Sequence, residues 1–454
     1  MSTEKTTDLT KGRPISQIFL FAVPLVLGTL FQQLYSFADT VIVGRFLGVD
    51  ALAAVGTTYS LNFLILGFVQ GLTVGFGILL AQSFGAKDRN ELNSYFLNGA
   101  FLSACISVLL AVVTAIAARP LLILIRTPEN ILSMAVEYIR VIFIGIPAAM
   151  LYNYSAGALR AVGDSRHPFY FLLFSSALNI VLDYVFIVPL GGGVAGAAWA
   201  TVLSQLVSFG ILLYFNLGER HGSLPLRLKN YRFRFSLYRD IVKGGLPSLW
   251  RQGLASVATI CLNRSAGLYG DAAIAAMSVV TRAMQLAQSA LIGFGQGFQP
   301  VCGFNYGAGL YGRVKDAFRF CVKWATVFLA AASVLGMIFA PQIVAVFSND
   351  PEVIAFGARA LRCQCAVFPL CGVIVISSML TQTINKVWQA SLLAAARQGL
   401  FFIPAVLIPP HVLGELGVQL AQSLSDVCAF ALTVPLVLGV LRDMDRQERL
   451  ERIS

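Results

Sequence analysis

Four oxygen-bearing side chains interrupt apolar runs in the first half of this chain. They are Asp39 in YSFADTVIVGRFLG, Asn179 and Asp183 in ALNIVLDYVFIV, and Thr201 in GVAGAAWATVLSQ. Asn179 and Asp183 are four apart, so on a helix they share one face. Carboxylate, amide and hydroxyl oxygens are the ligands that hard cations such as sodium favour. Two carboxylates close together in a low dielectric resist joint ionisation, which makes a proton the alternative guest. The pattern points to reversible binding of a small cation. No basic residue is expected in the first-half spans near the depth of Asp39 and Asp183, Arg45 being the nearest, so simple pairing with an arginine is the weaker reading.

These residues matter because of what surrounds them. Of 454 residues, 57% are hydrophobic and 12% charged, and the mean hydropathy is +0.76. A soluble globular chain carries roughly twice that share of charge. Runs such as Leu97 to Ala118, Phe169 to Leu190 and Ala325 to Pro341 match the roughly 20 apolar residues that cross a hydrocarbon core, and hydrophobicity spread through the whole run favours helices over strands. Twelve helices are predicted, near 15–43, 51–82, 92–118, 130–158, 167–188, 194–217, 240–266, 272–303, 313–340, 352–383, 387–408 and 414–441. The chain reads as an all-α, polytopic membrane protein in two six-helix repeats, 15–218 and 240–441. A tail at 1–14, a basic linker at 219–239 and a second tail at 442–454 complete it. An ionisable group inside a span costs at least about 2.5 to 3.5 kcal/mol and is a functional candidate by default.

Lysine and arginine set the orientation. Lys87, Arg89, Arg160, Arg166, Arg313, Lys315 and Lys386 fall on one side with both tails and the linker, against Arg45, Arg119, Arg126 and Arg264 on the other. The positive-inside rule places both termini in the cytoplasm of a cell (inner) membrane protein. It also accounts for the net charge of +11 without nucleic acid. The polar start, MSTEKTTDLTKGRP, reads as a cytoplasmic tail rather than a signal peptide. At a rise of about 1.5 Å per residue, Asp39, Asp183 and Thr201 lie roughly 6, 8 and 10 Å from the outer ends of their helices, at a common depth.

The chain repeats itself. GVDALAA at Gly48 to Ala54 returns as GDAAIAA at Gly270 to Ala276, and FGA at Phe84 to Ala86 as YGA at Tyr306 to Ala308. Gln70 and Gly71, Pro24, Pro128, Pro147 and Gly196 also recur as Gln296 and Gly297, Pro247, Pro351, Pro369 and Gly417. Six helices is an even number, so the halves are parallel repeats about an axis along the membrane normal, and transporters of that build bind cargo between their halves. The offset that carries Gly48 to Gly270 takes Asp39, Asn179, Asp183 and Thr201 to Cys261, Phe401, Ala405 and Ser423, so neither carboxylate is repeated.

Pro24 with Asp39, Gly44 to Gly48, the Asn179 and Asp183 pair, Thr201, and QGFQPVCGFNYGA from Gln296 to Ala308 together resemble the multidrug and toxic compound extrusion family of secondary transporters, over essentially the whole chain. The resemblance implies a V-shaped pair of six-helix lobes and antiport of organic compounds against sodium or protons. It implies a cation at Asp39, Asn179, Asp183 and Thr201, and a bend of the first helix at Pro24. No other cofactor is expected. The partners implied are a small organic substrate and the bilayer, and the chain is read as a monomer.

The second half departs from some branches, which place a further carboxylate in spans seven, eight or ten. Here Arg251, Arg282 and Arg397 stand near mid-membrane with Asp426 as the acidic residue at comparable depth. A buried pair of Asp426 with one arginine is the first expectation, and the surplus positive charge leaves room for zwitterionic or anionic cargo. Gln32, Gln33, Tyr35, Tyr152, Asn153, Trp250, Gln285 and Gln288 are candidates to line a cavity, although helix packing and the membrane interface also use such residues. The eight cysteines lack metal spacing, and His167, His221 and His411 fall in separate loops. Two other readings are weaker. A flippase for lipid-linked precursors would favour extra helices or a lipid-sized groove. An intramembrane enzyme would need a motif such as H-E-x-x-H or G-x-S-x-G, and neither occurs.

Overall fold

The computed structural model describes residues 14–217 and 235–451. Lys11, Arg13, Arg220, His221, Arg227, Lys229, Arg232 and Arg234 lie outside them, as do nearly all of the first tail and most of the linker. The helices of the first half are α1 (Pro14–Leu47), α2 (Val49–Gly85), α3 (Arg89–Leu124), α4 (Glu129–Ile144), α5 (Ile146–Ala161), α6 (Arg166–Ile187) and α7 (Gly193–Leu217). The second half holds α8 (Phe235–Ala266), α9 (Asp271–Gly307), α10 (Tyr311–Ile338), α11 (Ala340–Ala345), α12 (Pro351–Val367), α13 (Leu370–Thr383), α14 (Val387–Ala395), α15 (Phe402–Leu407), α16 (Pro410–Leu413) and α17 (Glu415–Glu451). The described residues contain no strand, as expected where the backbone must satisfy its own hydrogen bonds.

Eight helical segments are each long and apolar enough to cross a membrane, and the bent pairs α4/α5 and α12/α13 raise this to ten. α8 and α9, of 32 and 37 residues, complete twelve. Their hydropathy is diluted by Arg251, Arg282 and several glutamines.

The breaks are the main departure from the sequence expectation. The fourth predicted helix bends by 43° at Gly145 and the tenth by 57° between Val367 and Leu370. Pro147 and Pro369 stand beside the two breaks, at positions matched by the repeat, and each deletes a backbone donor. The eleventh span is interrupted by a π-helical turn at Ala396–Leu400. α17 does not end near 441 but continues to Glu451. Its extension is tied down by ion pairs of Lys315 with Asp445 and Glu448 and of Lys386 with Asp443.

The duplication is written in the backbone. Gly48 and Gly270, equivalent positions of the two repeats, both start a helix in a conformation that L side chains rarely adopt, with φ of 90° and 98°. Positive φ recurs at the same spacing at Lys87 and Gly309 and at Gly163 and Asn385. Two compact units emerge. One holds residues 27–217 and 235–245, and the other 14–26 and 246–451. α1 therefore changes unit between Val26 and Leu27, less than a turn beyond Pro24, and α8 between Gly245 and Leu246, beside Pro247.

Candidate functional site

Within the first unit, α6 and α7 are antiparallel neighbours joined by a turn with positive φ at Gly191 and Gly193. A methyl group on Gly196 would sit 3.2 Å from the Phe186 carbonyl oxygen, so the absence of a side chain lets the two helices approach closely. That contact sets Asn179 on α6 against Thr201 on α7, and the Asn179 Nδ2 donates to Thr201 Oγ1 at 3.3 Å. Thr201 donates in turn to the Ala197 carbonyl at 3.3 Å. One turn beyond Asn179, Asp183 is fully buried.

α1 supplies the third wall. Phe31 meets Phe169 and Phe46 meets Tyr184 at ring distances of 6.4 and 6.0 Å, which aligns α1 along α6 on either side of Asp39. The Asp39 and Asp183 carboxyl groups face each other closely enough to share a proton. With no proton between them, Asp39 Oδ1, both oxygens of Asp183 and Asn179 Oδ1 are buried without a donor. Buried oxygens in that state cost free energy until a cation or proton satisfies them. The structure thus brings together all four residues singled out in the sequence.

An apolar cluster closes the site toward the C-terminal end of α1. Val43, Ala51, Tyr138, Val141, Ile142, Ile187, Val194, Ala197, Ala198 and Val202 pack there, one turn beyond Asp39 and Asp183. Tyr138 on α4 belongs to this cluster and lies within electrostatic reach of both carboxylates, as does Tyr35 on α1, beside Gln32. Sequence reading missed Tyr138, although a tyrosine between Glu137 and Arg140 in an otherwise apolar span was a usable signal. It also overlooked Arg140, a basic residue inside a first-half span. Arg140 is exposed and is not among the groups that act on either aspartate, so the carboxylates face no guanidinium among the described residues. α1 runs four residues past its predicted end, which puts Asp39 eight residues before it, whereas α6 ends one residue short of prediction, four residues after Asp183.

Pro24 lies inside α1, which continues through it as one helix. Tyr152 is buried in a separate cluster with Ala156, Leu159 and Leu212, and Asn153 spends its amide on the Ala149 carbonyl at 2.8 Å. Gln33, Gln285 and Gln288 are partly buried, and Gln32 and Trp250 are exposed. No group of three His, Cys, Asp or Glu residues that could hold a metal is found among the described residues.

In the second unit the three arginines separate. Arg397, on the π-helical turn, donates from Nε to Asp426 Oδ1 at 2.7 Å and from Nη2 to Oδ2 at 3.4 Å. Gln422 and Cys371 also donate to Asp426, at 2.8 and 3.3 Å, and Ser425 donates to the Arg397 carbonyl at 2.5 Å. Arg251 on α8 donates to Ser248 Oγ at 3.2 Å. Arg282 is exposed on α9.

Comparison with known proteins agrees with this architecture. The MatE family profile matches residues 24–185 and 247–407, one match in each repeat. The probable multidrug resistance protein YoeA of Bacillus subtilis is 28% identical over 446 residues, covering 96% of this chain and 95% of its own. The multidrug export protein MepA of Staphylococcus haemolyticus is 22% identical, with 90% of each chain covered. Among solved structures, a crystal structure of MATE in the bent conformation superimposes with a TM-score of 0.93 at 26% identity, covering 99% of this chain and 100% of that one. An outward-facing multidrug resistance MATE family transporter gives a TM-score of 0.91 at 26% identity, covering 98% and 100%. With both repeats matched and relatives aligned end to end, the chain belongs to the MatE family of multidrug and toxic compound extrusion transporters, multi-pass membrane proteins that export small organic compounds and are not enzymes.

Proposed function

We propose that this chain is a secondary antiporter that expels organic compounds in exchange for sodium ions or protons, by alternating access, with the coupling ion held at Asp39 and Asp183. One observation carries the reading. Two carboxylates from α1 and α6 face each other inside the first unit, three of their four oxygens are buried without a donor, and no guanidinium neutralises them among the described residues. A resident counter-charge would have closed the site for good; leaving it open makes occupancy depend on what the solution supplies. Asn179 and Thr201 add neutral oxygens suited to sodium, and the closeness of the two carboxyls suits a shared proton.

The cycle follows from topology and charge. Both termini are cytoplasmic in this reading, and the site lies in the half of the membrane facing outside. A cation entering from outside lowers the charge of the ionised pair from −2 to −1, which relieves the repulsion between Asp39 on α1 and Asp183 on α6 and lets these helices repack. α1 transmits that change along its length, and Pro24 supplies the weak point at which it flexes. One charge moving inward gains about 2.3 kcal/mol per 100 mV, enough for a roughly fifty-fold uphill gradient of a neutral cargo at that potential. No cofactor beyond the coupling ion is involved, and a single chain suffices.

The test is export of a fluorescent dye by the purified protein in sealed vesicles, under sodium, pH and voltage gradients imposed one at a time. Asp39→Asn and Asp183→Asn should each lower gradient-driven export to the level of empty vesicles. Export that remains gradient-driven in both variants would refute the assignment.

A further inference from the structure

The second unit contains a positive charge that its described residues leave uncompensated. Arg251 lies at the middle of α8, equally far from Phe235 and Ala266 to within one residue, hence near mid-membrane. Arg397 is matched by Asp426, and Arg282 is exposed, but Arg251 is half-buried and no carboxylate among the described residues comes within ion-pair distance of it. Its polar contact is Ser248, a neutral hydroxyl on its own helix. Keeping a guanidinium inside a span without an anion is costly, and such a charge persists where a ligand or water-filled cavity meets it.

Its surroundings hold several neutral donors and, among the described residues, no carboxylate. Ser248 Oγ already accepts from Gln382 Nε2 of α13 at 2.9 Å as well as from Arg251. Ser378, one turn before Gln382 on α13 and therefore on the same face, has a buried hydroxyl without a partner. Gln299 on α9 is 8% exposed and its amide nitrogen has no acceptor. It stands one turn beyond Gly295, where α9 touches Met379 of α13. Three helices of this unit thus present N–H and O–H groups with no acid among them. The unused guanidinium edge can grip a carboxylate, sulfonate or phosphate with two parallel hydrogen bonds, a geometry that arginine matches and lysine does not.

We propose that Arg251 forms a subsite for an anionic group on the exported compound, so that amphiphiles bearing a carboxylate, sulfonate or phosphate, zwitterions included, are preferred over purely cationic ones. This rests on the export reading above, and it names the class of cargo rather than the driving ion. The same chemistry fits the headgroup of an anionic lipid, so the two sources must be separated by experiment.

The probes are a xanthene dye with a free carboxylate and its ethyl ester, which differ in the anionic group alone. Binding is followed by fluorescence polarisation on the purified full chain, and export in phosphatidylcholine vesicles that contain no anionic lipid. Wild type should bind the acid more tightly than the ester, and in Arg251→Gln the acid-to-ester ratio should fall at least about tenfold in binding and in export. Arg251→Lys should give an intermediate ratio. A wild type that shows no preference for the acid, or an Arg251→Gln ratio unchanged within about twofold, would overturn the proposal. A variant that loses both dyes equally, with Arg251→Lys behaving alike, would make Arg251 a packing residue and overturn it too. Because binding is read without any gradient, failure of ion-driven export in wild type would count against the antiport reading and leave this test intact. Displacement of the acid dye by added phosphatidylglycerol would assign the subsite to lipid phosphate and overturn the cargo assignment, and resistance to it would assign the subsite to cargo.

Discussion

The two repeats use equivalent helices in opposite ways. In the first, α6 and α7 meet α1 around Asp39 and Asp183, and the acids have no counter-charge among the described residues. In the second, the repeat pairs Arg397 with Ser175 and Asp426 with Ser204, which lie about one turn from Asn179 and Thr201 on the corresponding helices. There the second repeat places a closed ion pair with Gln422 and Cys371 satisfying the acid. A site that is complete in itself holds helices together; under the proposed function, the site that lacks a counter-charge is the one that takes up the coupling ion. Duplication supplied one scaffold twice, and the two copies differ in charge balance: a closed ion pair in one and two carboxylates, three of whose oxygens lack a donor, in the other.

The comparison breaks most visibly in stability. Removing one partner of the closed pair, by Arg397→Ala or Asp426→Ala, should cost about 3–5 kcal/mol because a buried charge is left alone. Replacing both by Met and Leu should recover most of that loss, as read by thermal unfolding in detergent. Asp39→Asn and Asp183→Asn should change stability by less than about 1 kcal/mol, since an amide can still hydrogen-bond the remaining carboxyl and no opposite charge is stranded. Equal losses at both sites would erase the distinction. Within the open site, Asn179→Ala or Thr201→Ala should weaken sodium binding by about tenfold while leaving proton uptake largely intact, because each deletes one neutral oxygen and no charge. The smallest effect is expected for Tyr138→Phe, which removes a hydroxyl near both carboxylates and should shift the sodium-to-proton preference only about two- to fivefold, measured as the sodium requirement for dye export at two pH values.

Much of this was legible in the sequence, and its failures have physical causes. Helix number, the repeat and the cluster of four oxygen-bearing side chains follow from one rule each: apolar length, recurring glycine and proline, and the cost of charge in hydrocarbon. The breaks at Gly145 and around Pro369 were hidden because a bent span keeps its composition, and only the proline beside each break marked it. Tyr138 was missed because tyrosine is equally at home in packing and at the membrane interface, so depth alone did not distinguish it. The fate of the three arginines was undecidable from spacing, since pairing with Asp426 depends on a π-helical turn that rotates Arg397 toward α17. The helical extension of α17 to Glu451 was hidden by its charge, which reads as a tail until Lys315 and Lys386 are found opposite its acids.

The proposal that Asp39 and Asp183 form an open site for the coupling ion, sodium or proton, is tested most directly by adding sodium to the purified protein in weakly buffered detergent solution and recording heat and proton release together. Wild type should bind sodium and release protons in the same titration, with lower pH weakening the sodium affinity, and the Asp39→Asn, Asp183→Asn double variant should show neither signal. Sodium binding and proton release of undiminished amplitude in that double variant would contradict the account.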